Sequence, residues 1–198
     1  MDTLESLIKI MSRLPGLGPR SARRLALHLL KKKDALMIPL GEQILSTAAQ
    51  IRTCNECGNL GLDDPCNICS DPKRNRTQIC IVEDVDDLWA IERTNSYRGL
   101  YHVTSGTLSA LDGVRPEDLK IPKLMERIFN PETPVTEIIL ALSATVDGQA
   151  TGYYISDQLN DSSIAVTRLA QGIPIGSELD YLDDGTLSLA MQSRTAAN

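Results

Sequence analysis

Gln78-Ile79-Cys80-Ile81-Val82-Glu83 is a short apolar run closed by an acid, and it sets the frame for everything around it. The run predicts a buried strand, with Cys80 as core filler and Glu83 as the acid that leaves its end. Downstream, Val85, Leu88, Trp89 and Ile91 fit a helix, and 99–103 fits a second strand, which completes one βαβ unit. A further helix over about 116–129 leads into a strand over 137–142. A loop through Asp147-Gly148-Gln149, a helix through Tyr153 and Ile155, and a strand over 164–168 follow. Short apolar strands alternating with helices predict a parallel sheet covered on both faces. In open α/β sheets ligand sites form at the carboxyl ends of the strands, so Glu83 is expected to approach the Asp147 loop.

Immediately upstream, Cys54-Asn55-Glu56-Cys57-Gly58 and Cys66-Asn67-Ile68-Cys69 form two CxxC pairs. Paired knuckles supply four thiolates at a spacing that lets each pair grip one tetrahedral ion, and zinc is the usual occupant of four sulfurs. Disulfides are the alternative, which a reducing cytoplasm disfavours. With four thiolate ligands and no histidine nearby, the expected zinc is structural, one per chain. His28 and His102 read as packed side chains without catalytic partners.

Farther upstream, Leu4, Leu7, Ile8, Met11 and Leu14 recur at helical spacing. Leu14-Pro15-Gly16-Leu17-Gly18-Pro19 then makes a compact turn, and Pro19 opens a second helix carrying Arg20, Arg23 and Arg24. Gly16 and Gly18 permit a tight turn that leaves backbone N–H groups uncovered where a phosphate can bind, with Leu17 plugging the hairpin into the core. The arginines lie three and four residues apart, so they flank one phosphate track. The pattern fits helix-hairpin-helix DNA binding that reads backbone rather than bases; a hairpin that only packs is the alternative. Ile44, Leu45, Ala48 and Ile51 suggest one more helix before the cysteines.

Charge divides along the same line. The 198-residue chain has net charge -6, yet residues 9–33 hold eight basic residues and no acid, whereas residues 80–198 hold eight basic and eighteen acidic ones. A uniformly basic coat is excluded, and a local polyanion contact at the head, or a solvated helix face, is left. Seven aromatics are too few for a surface that grips single strands mainly by stacking. No G-x-x-x-x-G-K-[ST] occurs, which argues against an NTPase. The N-terminal residues lack the basic end and apolar block of a secretory signal, and no apolar run is long enough to span a membrane, so the expectation is a cytoplasmic protein.

The placement of Glu83 resembles the Toprim domain of topoisomerases, primases and related nucleases. In active Toprim enzymes a glutamate works with an Asp-x-Asp pair that holds magnesium. Here the loop reads Asp147-Gly148-Gln149, and a neutral amide replaces the second carboxylate. A magnesium-dependent nuclease or topoisomerase-like enzyme is therefore the alternative to a binding protein on an enzyme fold. Its motivating acids are Glu83, Asp84, Asp86 and Asp147; against it, Asp84, Asp86 and Asp87 read as a solvated acidic helix start that suits the positive end of a helix dipole.

The order helix-hairpin-helix, four-cysteine zinc finger and degenerate Toprim domain resembles the bacterial RecR recombination mediator family over essentially the full chain. Its carriers are Leu14 to Ala22, the Cys54/Cys57/Cys66/Cys69 set, Gln78 to Glu83, Leu108-Ser-Ala-Leu-Asp-Gly113 and Gly172-Ile-Pro-Ile-Gly-Ser-Glu-Leu179. The implied division is a helix-hairpin-helix region over 1–53, the finger over 54–77, the Toprim-like domain over 78–171 and a tail in subunit packing over 172–198. The resemblance implies a non-catalytic mediator that acts with RecO, and in many bacteria RecF, to load RecA on single-stranded DNA at gaps. It also implies a homo-oligomer, commonly a tetrameric ring, whose interior carries the hairpin's basic residues, with Arg20 and Arg24 at the matching positions here, beside the DNA-binding candidates Gly16, Gly18 and Arg23. The family's usual Glu-Gly-Glu stands where this chain has Asp147-Gly148-Gln149, so Glu83 and Asp147 are carried over as partner contacts on that basis alone.

Overall fold

The structure is a computed structural model that describes residues 3–170 and 172–194. The chain divides between Ile51 and Arg52 into two compact units. The first holds α1 (Thr3–Met11), α2 (Pro19–Lys31), a π turn over Lys33–Met37 and α3 (Ile38–Gln50). In α2, Ala22, Ala26 and Leu29 form the buried stripe at helical spacing, and the charged residues fall outside it. The π turn arises where the N–H groups of both Leu36 and Met37 reach the Lys32 carbonyl, at 2.8 and 3.3 Å. The helix expected around Ile44 begins earlier, at Ile38, and buries none of its residues. His28 is exposed rather than packed, because it lies off the alanine stripe.

In the second unit, β1 (Arg52–Thr53) and β2 (Leu60–Gly61) make a small antiparallel ribbon, followed by α4 (Asn67–Ser70). The main sheet uses β3 (Asn75–Val82), β4 (Gly99–Val103), β5 (Glu137–Ala141) and β6 (Ala165–Arg168), all parallel, in the order β4-β3-β5-β6. Between the strands run α5 (Val85–Arg93), α6 (Ile121–Ile128) and α7 (Val146–Asp157), and α8 (Asp184–Gln192) is the last element among the described residues. The anticipated helix over 116–129 is divided into a 3-10 turn at Pro116–Asp118 and α6. Asp118 caps the first piece by accepting from Arg115 N–H at 2.9 Å, and Pro122 suits only the first turn of the second. Among the described residues no helix is long and apolar enough to cross a membrane.

Strand alternation sorts the core. Ile79, Ile81, Ile138 and Leu140 face Ile121, Leu124 and Ile128 of α6 and Ile155 of α7. The intervening Cys80, Val82, Tyr101 and Val103 pack with Leu88 of α5 and the four finger cysteines. Helices therefore cover one face, and a helix together with the finger covers the other. Burial pushes the Cys80 thiol up to about 12, as expected of an inert core cysteine.

Arg74, just before β3, clamps α5 to the sheet edge. Its guanidinium forms a two-pronged pair with Glu92, and its Nη1 also donates to the Gly99 carbonyl at 3.3 Å. The Arg74 hydrogen bonds hold the Glu92 carboxyl below its ordinary value of 4.5. A depressed carboxyl stabilises the fold above its unfolded value, and this contribution fades as pH falls through the folded one. Glu92→Gln is therefore expected to cost about 2 kcal/mol at pH 7, with the gap to wild type narrowing as pH is lowered below 4.5; urea unfolding across that range measures both.

Candidate metal centre and nucleic-acid interface

The four sulfurs of Cys54, Cys57, Cys66 and Cys69 lie within 4.8 Å of one another, and all four residues are buried. Each CxxC folds as a knuckle because backbone amides turn inward. Gly58 N–H donates to the Cys54 carbonyl at 2.9 Å, Asn59 N–H to Cys57 Sγ at 3.4 Å, and Cys66 N–H to Cys54 Sγ at 3.3 Å. Gly58 turns with φ +82°, and a Cβ there would meet Val103 Cβ at 3.1 Å, so glycine is required both by the turn and by the finger's approach to β4. The Cys57 carbonyl accepts from Val103 N–H at 2.8 Å, which ties the knuckle to the sheet.

The donor set suits a tetrahedral ion. Four sulfurs about 2.3 Å from a zinc ion would stand about 3.8 Å apart, and Cys57 and Cys66 are 3.6 Å apart. With thiols alone the cluster is electrostatically lopsided. Hydrogen bonds from Cys57 and Cys69 pull the Cys66 thiol down, the Cys66 contact pushes Cys57 up to about 12, and the Cys57 contact pushes Cys69 upward. Only a cation lets all four sulfurs ionise together. Sequence reasoning missed the support around them: buried Asn59 accepts from the Trp89 indole N–H at 3.0 Å and from Leu60 N–H at 2.8 Å. An asparagine one residue past Cys57-Gly58 carries no signal of this until α5 is seen to bring Trp89 over it.

Glu83 leaves the end of β3 and its Oε1 accepts from Ser143 N–H, just past β5, at 2.5 Å. Asp147, Gly148 and Gln149 are not a loop but the first turn of α7, which Thr145 caps by accepting from Gly148 N–H at 3.1 Å. A cap residue directly before the run was the available signal. Glu83 and this turn do come together: a Cβ on Gly148 would stand 3.0 Å from Glu83 Oε1. Asp147 is half-buried, and Gln149 donates its amide to the Ala144 carbonyl at 3.1 Å, a role closed to a carboxylate. Asp84 and Asp87 form a capping box on α5.

At the hairpin, Gly16 has φ +74° and Leu17 N–H donates back to the Leu14 carbonyl at 3.1 Å. Gly18 is the N-cap of α2, with Pro19 in its first turn. A Cβ at either glycine would meet nothing within 4 Å, so the backbone there is bare. The first amides of α2 have no acceptor within the helix. Arg20, Arg23 and Arg24 are all exposed, and α2 has no acid in its first turn. Leu17 is half-buried, not a full core plug.

A bare glycine turn ahead of an arginine-bearing helix, a four-cysteine cluster and a parallel sheet with an acid at its carboxyl edge define a helix-hairpin-helix protein of Toprim fold. Residues 77–170 match the Toprim domain family, residues 4–48 match the family described as RecR, helix-hairpin-helix, and residues 172–195 match RecR, C-terminal. The chain is 57% identical over 192 residues to the recombination protein RecR of Maricaulis maris, covering 97% of this chain and 94% of that one. It is 56% identical over 192 residues to that of Bradyrhizobium sp., with 97% and 96% covered, and 54% identical to that of Bartonella bacilliformis, with 97% and 94% covered. The chain belongs to the RecR family.

The closeness at Gly148 has a measurable consequence. An added methyl would overlap the Ser143 carbonyl and crowd Glu83, and both are held by backbone. Gly148→Ala is expected to cost about 1–3 kcal/mol, seen as a lowered melting temperature.

Proposed function

We propose that this chain is a non-catalytic, DNA-binding recombination mediator in DNA repair, which acts with RecO, and with RecF where present, to load RecA on single-stranded DNA at gaps. The observation that carries the reading is the bare Gly16–Gly18 turn beside the exposed Arg20, Arg23 and Arg24. Amides and guanidinium groups so placed bind phosphate without reading bases, as gapped duplex or strand junctions of any sequence require. The names of the relatives, recombination protein RecR, support the biological setting. The non-catalytic reading rests on the acids: Glu83 is engaged by Ser143 N–H, Asp84 and Asp87 cap a helix, and Gln149 puts an amide where a metal site needs a carboxylate. Glu83 and Asp147 are left to a partner contact.

The reading includes one structural zinc on Cys54, Cys57, Cys66 and Cys69 and assembly into a tetrameric ring in the cytoplasm. Assembly is supported by the tail, where Ile173, Ile175, Leu179 and Tyr181 are exposed instead of packed on their own domain. A chain of net charge -6 also needs several basic heads acting together on one polyanion.

Two experiments test this. Arg20→Glu with Arg24→Glu is expected to weaken gapped-DNA binding by about tenfold or more and to abolish RecA loading, with zinc content unchanged. Full binding by the double variant, read by fluorescence anisotropy, would make the hairpin a packing element. Elemental analysis of purified protein is expected to find one zinc per chain and to find it lost, with solubility, in Cys54→Ala or Cys66→Ala. Zinc-free wild-type protein would refute the metal assignment.

A further inference from the structure

A cavity of about 370 Å³ in the second unit gathers charge that neither the hairpin nor the metal centre uses. Arg76 of β3 and Lys123 and Arg127 of α6 line it, with Asn130 beyond the helix and Glu56 of the finger. Among the described residues none of these three cations takes part in an ion pair. Three cations on a concave wall against one acid, Glu56, which pairs with none of them, favour an anion.

Arg127 is held in a fixed pose. Its Nη1 donates to the Tyr101 carbonyl at 2.8 Å and lies 3.4 Å from His102 Nδ1. His102 Nε2 is 2.9 Å from the Lys120 carbonyl, which can only accept, so Nε2 carries the hydrogen and Nδ1 presents its lone pair to Arg127. Burial, with the Arg127 charge next in weight, holds His102 down to about 3, and the ring stays neutral at pH 7. The Arg127 Nη2 is buried and has no acceptor. Arg76 is anchored likewise: its Nη2 donates to the Cys69 carbonyl at 2.9 Å. Two hydrogen-bonded guanidinium groups and a lysine match the oxygens of a phosphate better than a lone carboxylate.

We propose that this cavity is a phosphate-binding site separate from the hairpin, taking a phosphate group of a nucleic-acid strand or of a free nucleotide. It does not depend on the hairpin reading.

The test uses the full chain with pyrophosphate as the calorimetric probe and gapped duplex DNA as the anisotropy probe. Lys123 is exposed, so Lys123→Glu is expected to leave the melting temperature unchanged while weakening pyrophosphate binding about tenfold or more; Arg76→Gln is the second variant. The Arg20→Glu, Arg24→Glu protein is expected to bind pyrophosphate as wild type does, which keeps failure of the hairpin apart from failure of the cavity. A parallel loss of DNA affinity in Lys123→Glu assigns the phosphate to a strand, and unchanged DNA affinity assigns it to a free nucleotide. No pyrophosphate binding by wild type, equal affinity in wild type and both cavity variants, or loss in the hairpin variant overturns the proposal.

Discussion

Four thiol side chains within 4.8 Å of one another, all buried, are the constraint on which the second unit is built. They pack in the same cluster as Cys80, Val82, Leu88, Tyr101 and Val103, so the finger stands where a second covering helix would otherwise lie. Like charges so close cannot ionise together without a cation among them, and a face of the sheet therefore depends on what neutralises them. Gly58 and the Cys57–Val103 hydrogen bond set the finger's distance from β4, and Asn59 with Trp89 sets its position on α5.

The carboxyl edge of the sheet keeps the placement of a Toprim acid. Glu83 still ends the central strand and still meets the first turn of α7, so the geometry of a Toprim edge persists. What has changed is the use of each group. The carboxylate accepts from a backbone amide, the neighbouring aspartates cap α5, and Gln149 donates where an acid could only accept. Glu83 and Gln149 brace the strand-to-helix turn between β5 and α7, and Asp84 with Asp87 caps the helix that follows β3.

Much of this was legible in the chain. Short apolar runs at 78–83 and 137–142 alternating with helical stretches predicted the parallel sheet, because a strand reached through a crossover helix returns parallel to the one before it. The CxxC spacing predicted the cysteine cluster, since ligand geometry is local. Where reading failed, the deciding contact was tertiary or a cap. Asp147-Gly148-Gln149 looked like a loop because glycine suggests one, yet Thr145 starts a helix there. The helix over 116–129 was divided by Pro122, whose place in a first turn is compatible with either outcome. His28 looked packed among leucines, and the stripe of Ala22, Ala26 and Leu29 turned it outward. Asn59 and the Arg127 pose depend on residues distant in sequence, Trp89 and His102, and no local pattern announces them.

In the proposed function the two units divide the work. There the bare turn and arginines of the first are the phosphate contact, and the second is assigned the contacts between copies and with partners. Acidity of the body makes a single head a weak binder, so avidity between heads is the core of the proposed mechanism. The salt dependence of wild-type binding to gapped duplexes of several sequences tests it most directly. Three arginines of one head, Arg20, Arg23 and Arg24, can neutralise about three phosphates and give a logarithmic slope of about 3 in magnitude. A steeper slope, the same for every sequence, is the predicted result. A slope at or below that of one head, or affinity that changes with sequence, would contradict a many-headed grip on the backbone.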